Sequence, residues 1–288
     1  MYTRFYKLAE RPFELSPDLR YLYLSEKHRE ALVHLTYGVR ERRVFVQLTG
    51  EVGTGKTTML DALVSRLDAS TKVAWLSNTT IGKTDLLRVL AWELGVEFKG
   101  TTKMEIMREI AAFLGQATAA GKNAVFIIDE AQNLNLPLLE EIRLLSNLRS
   151  MGRCSLQIVL AGQPELRRKL ELQQLRQLRQ RISVRFDLKP LSRQETGEYI
   201  RHRLTVAGAT DLEIFDRSAI DVVYEYSNGV PRAINTICDN ALLAGYADNR
   251  PWIGRRTVEE TIDAVECRSA DDIASDDPGR QQVQPGSA

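Results

Sequence analysis

The chain has 288 residues, 43% of them apolar and 27% charged, with a formal net charge of +1. That is the composition of an ordinary folded protein with material for one large or two smaller cores, and so small a net charge gives no bulk argument for nucleic acid or a membrane surface as partner. No stretch approaches the roughly 18 uncharged apolar residues of a membrane-spanning helix, and Met1–Lys7 lacks the apolar core of a secretory signal. The three cysteines, Cys154, Cys238 and Cys267, are too sparse and scattered for a disulfide framework or a zinc site, which places the expected compartment in the cytoplasm.

Residues 1–24 are rich in aromatics and proline and read as an irregular lead segment. Ser25 is a candidate N-cap for a helix to about Glu41, with Ala31, Leu32, Leu35 and Val39 on one face. Val44–Thr49 then reads as a strand, 50–55 as a glycine-rich turn and 56–67 as a helix. Val73–Ser77 is a second strand, followed by a helix over 84–94 that stops at Gly95. Thr102-Lys103-Met104-Glu105 forms a capping box for a helix lasting to about Ala120. Ala124–Asp129 is a continuous apolar strand, Pro137 opens a helix to about Ser150, and Ser155–Ala161 is another apolar strand. A helix over 164–180 leads into the β-like run Ile182–Leu188. Five short apolar strands separated by helices predict an α/β domain with a parallel sheet covered on both faces.

Beyond Leu191 the strand signals end. Ser192–Glu195 and Thr257–Glu260 match capping boxes, Asp216 can cap a third helix and Pro231 can begin a fourth. The predicted organisation is a lead segment and helix packing on the core (1–42), an α/β core (43–189), a small all-helical lid (190–267) and a disordered tail (268–288), whose Asp, Pro, Gly and Gln content has no apolar period.

Gly50-Glu51-Val52-Gly53-Thr54-Gly55-Lys56-Thr57, with Thr58 behind it, fits the phosphate-binding pattern G-x-x-x-x-G-K-[ST] between a strand and a helix. Glycines let the backbone curl so that successive N–H groups face a phosphate, and the helix adds its positive end. In that pattern Lys56 meets the β- and γ-phosphates, and the Thr57 hydroxyl ligates Mg²⁺. A similar stretch at Ile81–Thr84 has Ser77 where the first glycine must stand, and reads as a loop. At the end of the apolar strand, Asp129 is the expected water-mediated Mg²⁺ partner. Glu130 is the expected general base, and a second acid here favours hydrolysis over binding alone. The segment 166–185 carries seven cations against Glu171. Arg181, just before the last strand, is the candidate arginine finger, with Arg179 and Arg185 behind it. Arg232, in Gly229-Val230-Pro231-Arg232, opens a lid helix and can fold back on a nucleotide.

Together these features resemble the AAA+ ATPases, and among them the general secretion pathway protein A (ExeA-type) family, which includes ATPases of exopolysaccharide and exosortase loci. The residues carrying the resemblance are Pro12-Phe13, Pro17-Asp18, Tyr23-Leu24-Ser25, His28, Gly50–Thr58, Asp129-Glu130-Ala131-Gln132, Ala161–Leu166, Gln180-Arg181-Ile182 and Gly229–Arg232, spread over residues 1–267. The resemblance implies a five-stranded sheet in the order 5-1-4-3-2, ATP with Mg²⁺ at the interfaces of a ring or filament, and Gln163 at the first sensor position, where most such proteins have Asn or Thr. It further implies a membrane export-system protein as partner, reached from the cytoplasm by recruitment to the inner membrane and without direct insertion. The expected function is to drive assembly or regulation of an envelope export system. The alternative is a DNA-associated ATPase of the transposition (TniB and TnsC) or origin-binding type, for which the basic 166–185 segment would contact phosphates. A nucleotide-gated scaffold with an idle Glu130 is the non-enzymatic reading.

Overall fold

The computed structural model describes residues 1–275 apart from Asn78, Met151, Gly152 and Ser155. It divides the chain into two compact units, Pro17–Pro190 and a second made of Met1–Ser16 with the chain from Leu191 onward. The lead segment is therefore split. Its first sixteen residues belong with the helices of the second unit rather than with the α/β core. Its remainder, with helix α2, belongs to the sheet unit.

In chain order the elements of the sheet unit begin with α2 (Glu26–Arg40), preceded in the other unit by the single turn α1 (Tyr2–Phe5). There follow β1 (Phe45–Gly50), α3 (Lys56–Val64), β2 (Thr71–Leu76), α4 (Lys83–Leu94), α5 (Lys103–Ala119), β3 (Asn123–Ile128) and α6 (Leu136–Leu145). A short antiparallel pair, β4 (Arg149–Ser150) and β5 (Arg153–Cys154), precedes β6 (Gln157–Gly162), α7 (Pro164–Leu170), α8 (Arg176–Arg181) and β7 (Ile182–Leu188). Five strands form one parallel sheet ordered β2-β3-β6-β1-β7, which is 5-1-4-3-2 when only its own strands are counted.

Strand alternation divides the apolar residues between the two faces. Val46, Leu48, Val125, Ile127 and Val159 face Ala31, Leu32, Leu35 and Val39 of α2 and Met59, Leu60 and Leu63 of α3. Phe45, Phe126, Ile128, Ile158 and Leu160 face the helices α4 to α8. Each fully buried large side chain stabilises this arrangement by about 1.5–3 kcal/mol. Gly38 of α2 is required by proximity, since a Cβ there would lie 2.7 Å from Val46 Cγ2.

The second unit holds α9 (Arg193–Val206), α10 (Arg217–Ser227), α11 (Pro231–Ala247) and α12 (Arg255–Ser275). Ser192 completes a capping box and the Asp216 carboxylate caps α10, as the sequence predicts. The Thr257 capping box does not form. The helix starts at Arg255, two residues earlier, so Thr257 sits inside it and its hydroxyl accepts from Arg250 at 2.8 Å. Helix α12 also continues to Ser275, past the predicted limit of order at Cys267, and the rest of the tail lies outside the described residues. The predicted single helix over 164–180 is broken, because Leu172 adopts an extended conformation (ψ 141) and lets Leu175 and Leu178 turn into the core. Among the described residues no helix is long and apolar enough to cross a membrane.

Candidate functional site

Parallel in-register pairing brings the ends of the central strands together. Thr49 of β1 pairs with Gly162 of β6, and Ile128 of β3 pairs with Leu160. The loop after β1, the acids after β3 and Gln163 after β6 therefore leave the sheet on the same carboxyl edge, where open α/β sheets bind ligands.

The first of these segments is bent by its glycines. Gly53 and Gly55 have φ of 79° and 92°, the left-handed region that costs other residues strain. Gly50 is needed for space, since a Cβ would meet Leu188 O at 2.8 Å and Thr54 Oγ1 at 2.9 Å. Thr54 is buried and its hydroxyl donates to Glu51 O at 2.8 Å, which braces the curl. Among the described residues no backbone carbonyl accepts from the N–H groups of Gly53, Gly55, Lys56 or Thr57. These donors, at the positive end of α3, form a ready anion cradle.

Lys56 is 95% buried by the loop it belongs to, with 5% of its surface exposed. Its ammonium donates to Gly50 O and Glu51 O, both at 2.9 Å. Burial pulls the amine below the usual lysine range, partly offset by Glu130, Asp129 and Glu51. Thr57 Oγ1 donates to Asp129 Oδ2 at 2.8 Å, and the Glu130 N–H donates to Asp129 Oδ1 at 2.9 Å. Asp61, one turn beyond Thr57, has its carboxyl raised by burial and then by the Asp129 charge. Glu130 sits at φ 50°, a left-handed conformation unusual for a non-glycine residue and of the kind found at functional sites. Its Oε2 accepts from Gln132 Nε2, and from Gln163 Nε2 at 3.3 Å.

Gly50 through Thr57, Asp129, Glu130 and Gln163 are thus gathered at one edge, with Thr58 in the first turn of α3 behind them. Arg181 ends α8 and is half-buried, and its guanidinium donates to Ser146 Oγ at 2.6 Å. Arg179 and Arg185 are exposed, and Arg185 donates to Arg179 O at 2.6 Å. Arg232 belongs to the other unit and is exposed at the second position of α11. Two residues without a role in the sequence reading stand out. Gln132 links Glu130 to the Gln163 backbone, and Lys169, part of the basic run, donates to Gln132 O and to Leu134 O, the latter at 2.9 Å. The signal for Gln132 was its place in Asp129-Glu130-Ala131-Gln132, one of the stretches that carry the resemblance, and for Lys169 only its place in the basic run.

The sheet order and the glycine-framed loop before α3 give the P-loop fold of the AAA+ class. Residues 39–170 match the AAA domain family. Within that class the sequence resembles the general secretion pathway protein A type. It is 44% identical over 248 residues, 86% of its length, to general secretion pathway protein A of Aeromonas hydrophila, and spans 45% of that protein. Among solved structures it is similar to the ORC2 protein of Aeropyrum pernix (16% identity, TM-score 0.65, 88% of this chain and 71% of that one). It is also similar to Cdc6p of Pyrobaculum aerophilum (15%, 0.66, 87% and 69%) and to the RuvB branch-migration motor of Thermotoga maritima (17%, 0.59, 86% and 73%). At such identities these three establish the shared fold and nothing finer.

Proposed function

We propose that this chain binds Mg-ATP and hydrolyses it, and that the cycle drives assembly or regulation of an envelope secretion or exopolysaccharide export system. The observation that supports this best is the cluster at the sheet edge: a buried ammonium that among the described residues donates to carbonyls, a bare N–H cradle, and a hydroxyl–carboxylate pair beside a second carboxylate. A lysine kept from water without a carboxylate partner is suited to exchange its carbonyls for phosphate oxygens.

Each residue has a distinct task. Lys56 binds the β- and γ-phosphate oxygens while the N–H groups of Gly53, Gly55, Lys56 and Thr57 hold the β-phosphate. Glu130 takes the proton of the attacking water. Gln163 orients that water from the first sensor position. Arg181, released from Ser146, or its neighbours Arg179 and Arg185, reaches the γ-phosphate of an adjacent subunit in a ring or filament. Magnesium suits the donor set. Thr57 and Asp129 supply hard oxygens, and the described residues hold no cluster of three His, Cys, Asp or Glu able to bind a metal unaided, so the ion would depend on phosphate and water for its other ligands. Bound there, it neutralises charge on the phosphate oxygens.

The secretion assignment rests on the relationship to general secretion pathway protein A, and implies a membrane export protein as partner for a chain acting from the cytoplasm. The nucleic-acid alternative rests on the exposed arginines of α7 to β7. Of these, Arg167 and Arg168 already have acids nearby, at 3.9 Å from Glu171 and 3.7 Å from Glu165. DNA affinity falling steeply with salt would replace the export reading with that alternative. For hydrolysis, Glu130→Gln should bind Mg-ATP but turn over at least about 10²-fold more slowly in a phosphate-release assay. Unchanged turnover would remove Glu130 as the base, and absence of magnesium-dependent nucleotide affinity in folded protein would end the reading altogether.

A further inference from the structure

The Gln132 side chain is placed as a clamp. It is 9% exposed, on the single helical turn Ala131–Asn133 that follows the acids. Its Nε2 donates to Glu130 Oε2, and its Oε1 accepts the backbone N–H of Gln163 at 3.0 Å. An amide can do both at once because it carries a donor and an acceptor on one rigid plane; a carboxylate, an apolar side chain or a shorter amide cannot. The clamp has a prepared seat. Gly162, at the end of β6, leaves a gap that a Cβ would close by coming within 2.6 Å of Gln132 Oε1 and 3.2 Å of its backbone nitrogen. The turn is fixed from the far side by Lys169, whose ammonium donates to Gln132 O and Leu134 O.

The consequence falls on Glu130. Both amide donors, from Gln132 and Gln163, use Oε2, and among the described residues none uses Oε1. One carboxylate oxygen is pinned and the other is left for a water molecule. Glu130 itself adopts the left-handed conformation with φ 50°, so its side chain relies on its neighbours for direction.

We propose that Gln132 is the positioning residue of the hydrolytic site: it ties the carboxylate of Glu130 to the backbone at Gln163, so that the base keeps its aim when the Gln163 side chain turns to a bound nucleotide. The proposal rests on the reading of Glu130 as general base. It makes Gln132 act on the proton-transfer step and not on nucleotide binding, because among the described residues it bonds Glu130, Gln163 and Lys169 and not the phosphate loop.

The test compares kcat and KM for steady-state ATP hydrolysis, with Mg-ATP affinity and thermal unfolding measured alongside, in Gln132→Met, Gly162→Ala, Glu130→Gln and the parent chain. Gln132→Met fills the seat but makes neither hydrogen bond; Gly162→Ala leaves the amide chemistry intact and displaces it. Both should lower kcat by about 10- to 10²-fold, the lower part of the range for a positioned base, with Kd for Mg-ATP within about threefold. In Gln132→Met the loss should fall on kcat alone, with KM and Kd for Mg-ATP held, because the clamp touches the base and not the phosphate loop. A purely packing role predicts that Gln132→Met keeps the parental kcat. That result, with Glu130→Gln inactive and still binding nucleotide, overturns the clamp and spares the base. Parental turnover in Glu130→Gln instead overturns the base and the clamp with it. If Gln132→Met does not fold, Gly162→Ala decides alone: parental kcat there overturns the proposal.

Discussion

Among the described residues each unit buries a cation that donates to backbone carbonyls, and the two are held in opposite ways. In the sheet unit Lys56 donates to Gly50 O and Glu51 O, partners only six and five residues away in its own loop. In the helical unit Arg203, 7% exposed, donates to Pro12 O and to Glu14 O, the latter at 3.2 Å, across 191 and 189 residues of chain. It also donates to Tyr199 Oη at 3.0 Å, which passes a hydrogen bond to Asn235 Oδ1 at 2.8 Å, and the guanidinium lies 6.0 Å from the Phe13 ring centroid. A guanidinium spreads its donors in a fixed plane over several acceptors, whereas an ammonium is a compact charge on a flexible stem that can trade one set of oxygens for another. A buried cation with local, exchangeable partners is prepared for a ligand. One whose partners come from distant parts of the chain is a tie within the fold. Tyr2 and Tyr6 reinforce that tie, Tyr2 donating to Asp239 and Tyr6 to Arg250 O at 3.0 Å, with burial pushing the Tyr6 hydroxyl up to about 12.

The contrast can be broken in four places. The largest effect is expected from Lys56→Ala. Mg-ATP affinity by calorimetry should fall about 30- to 5 × 10³-fold, the 2–5 kcal/mol cost of removing one side of a desolvated charge pair. Its urea midpoint should hold or rise, because a buried ammonium is also removed. A matching loss of stability would make Lys56 a structural residue like Arg203. Next comes Arg203→Met, which keeps the apolar stem and deletes the donors. Two carbonyls and a hydroxyl lose a partner, so urea unfolding should register a loss of about 2–4 kcal/mol, with nucleotide affinity per folded molecule unchanged. Reduced affinity at full stability would dissolve the contrast.

Smaller effects sharpen it. Thr102 in the sheet unit and Ser192 in the helical unit each complete a capping box. Their replacement by Ala should cost about 1 kcal/mol apiece, which would confirm that the helices of both units obey the same local rule and differ only in what they bury. The smallest signal concerns protons. Burial lowers the Lys56 amine, so part of the free protein loses that charge at alkaline pH, and a bound triphosphate should restore it. Nucleotide binding should then take up protons at alkaline pH, read as a dependence of calorimetric heat on the buffer's ionisation enthalpy. The dependence should vanish near neutral pH and in the Lys56→Ala chain.

Much of the sheet unit could be read locally. Its phosphate loop, the acids at Asp129 and Glu130, the apolar face of α2 and the caps at Ser25 and Thr102 each depend on residues within a few positions of one another. The misreadings have long-range causes. The helix expected over 164–180 breaks because Leu175 and Leu178 find places in a core built from α4, α5 and α6. The lead segment divides because Phe13 stacks edge-on against Phe215 at 5.9 Å and Arg203 holds the carbonyls beside it. The Thr257 box failed because Arg250 engaged the hydroxyl that would have capped.

The sequence by itself determined the local shape of the candidate site, since a glycine-framed loop and paired acids at a strand end are local patterns whose geometry follows from φ and the period of a strand. Only the tertiary structure decided which groups support that site. Gln132 reaches Gln163 across adjacent strands, Lys169 returns to brace the turn, and Arg181 is occupied by Ser146. These pairings depend on strand order and register, which join residues about 30 positions apart, and no local pattern of side chains encodes a distance between separate strands.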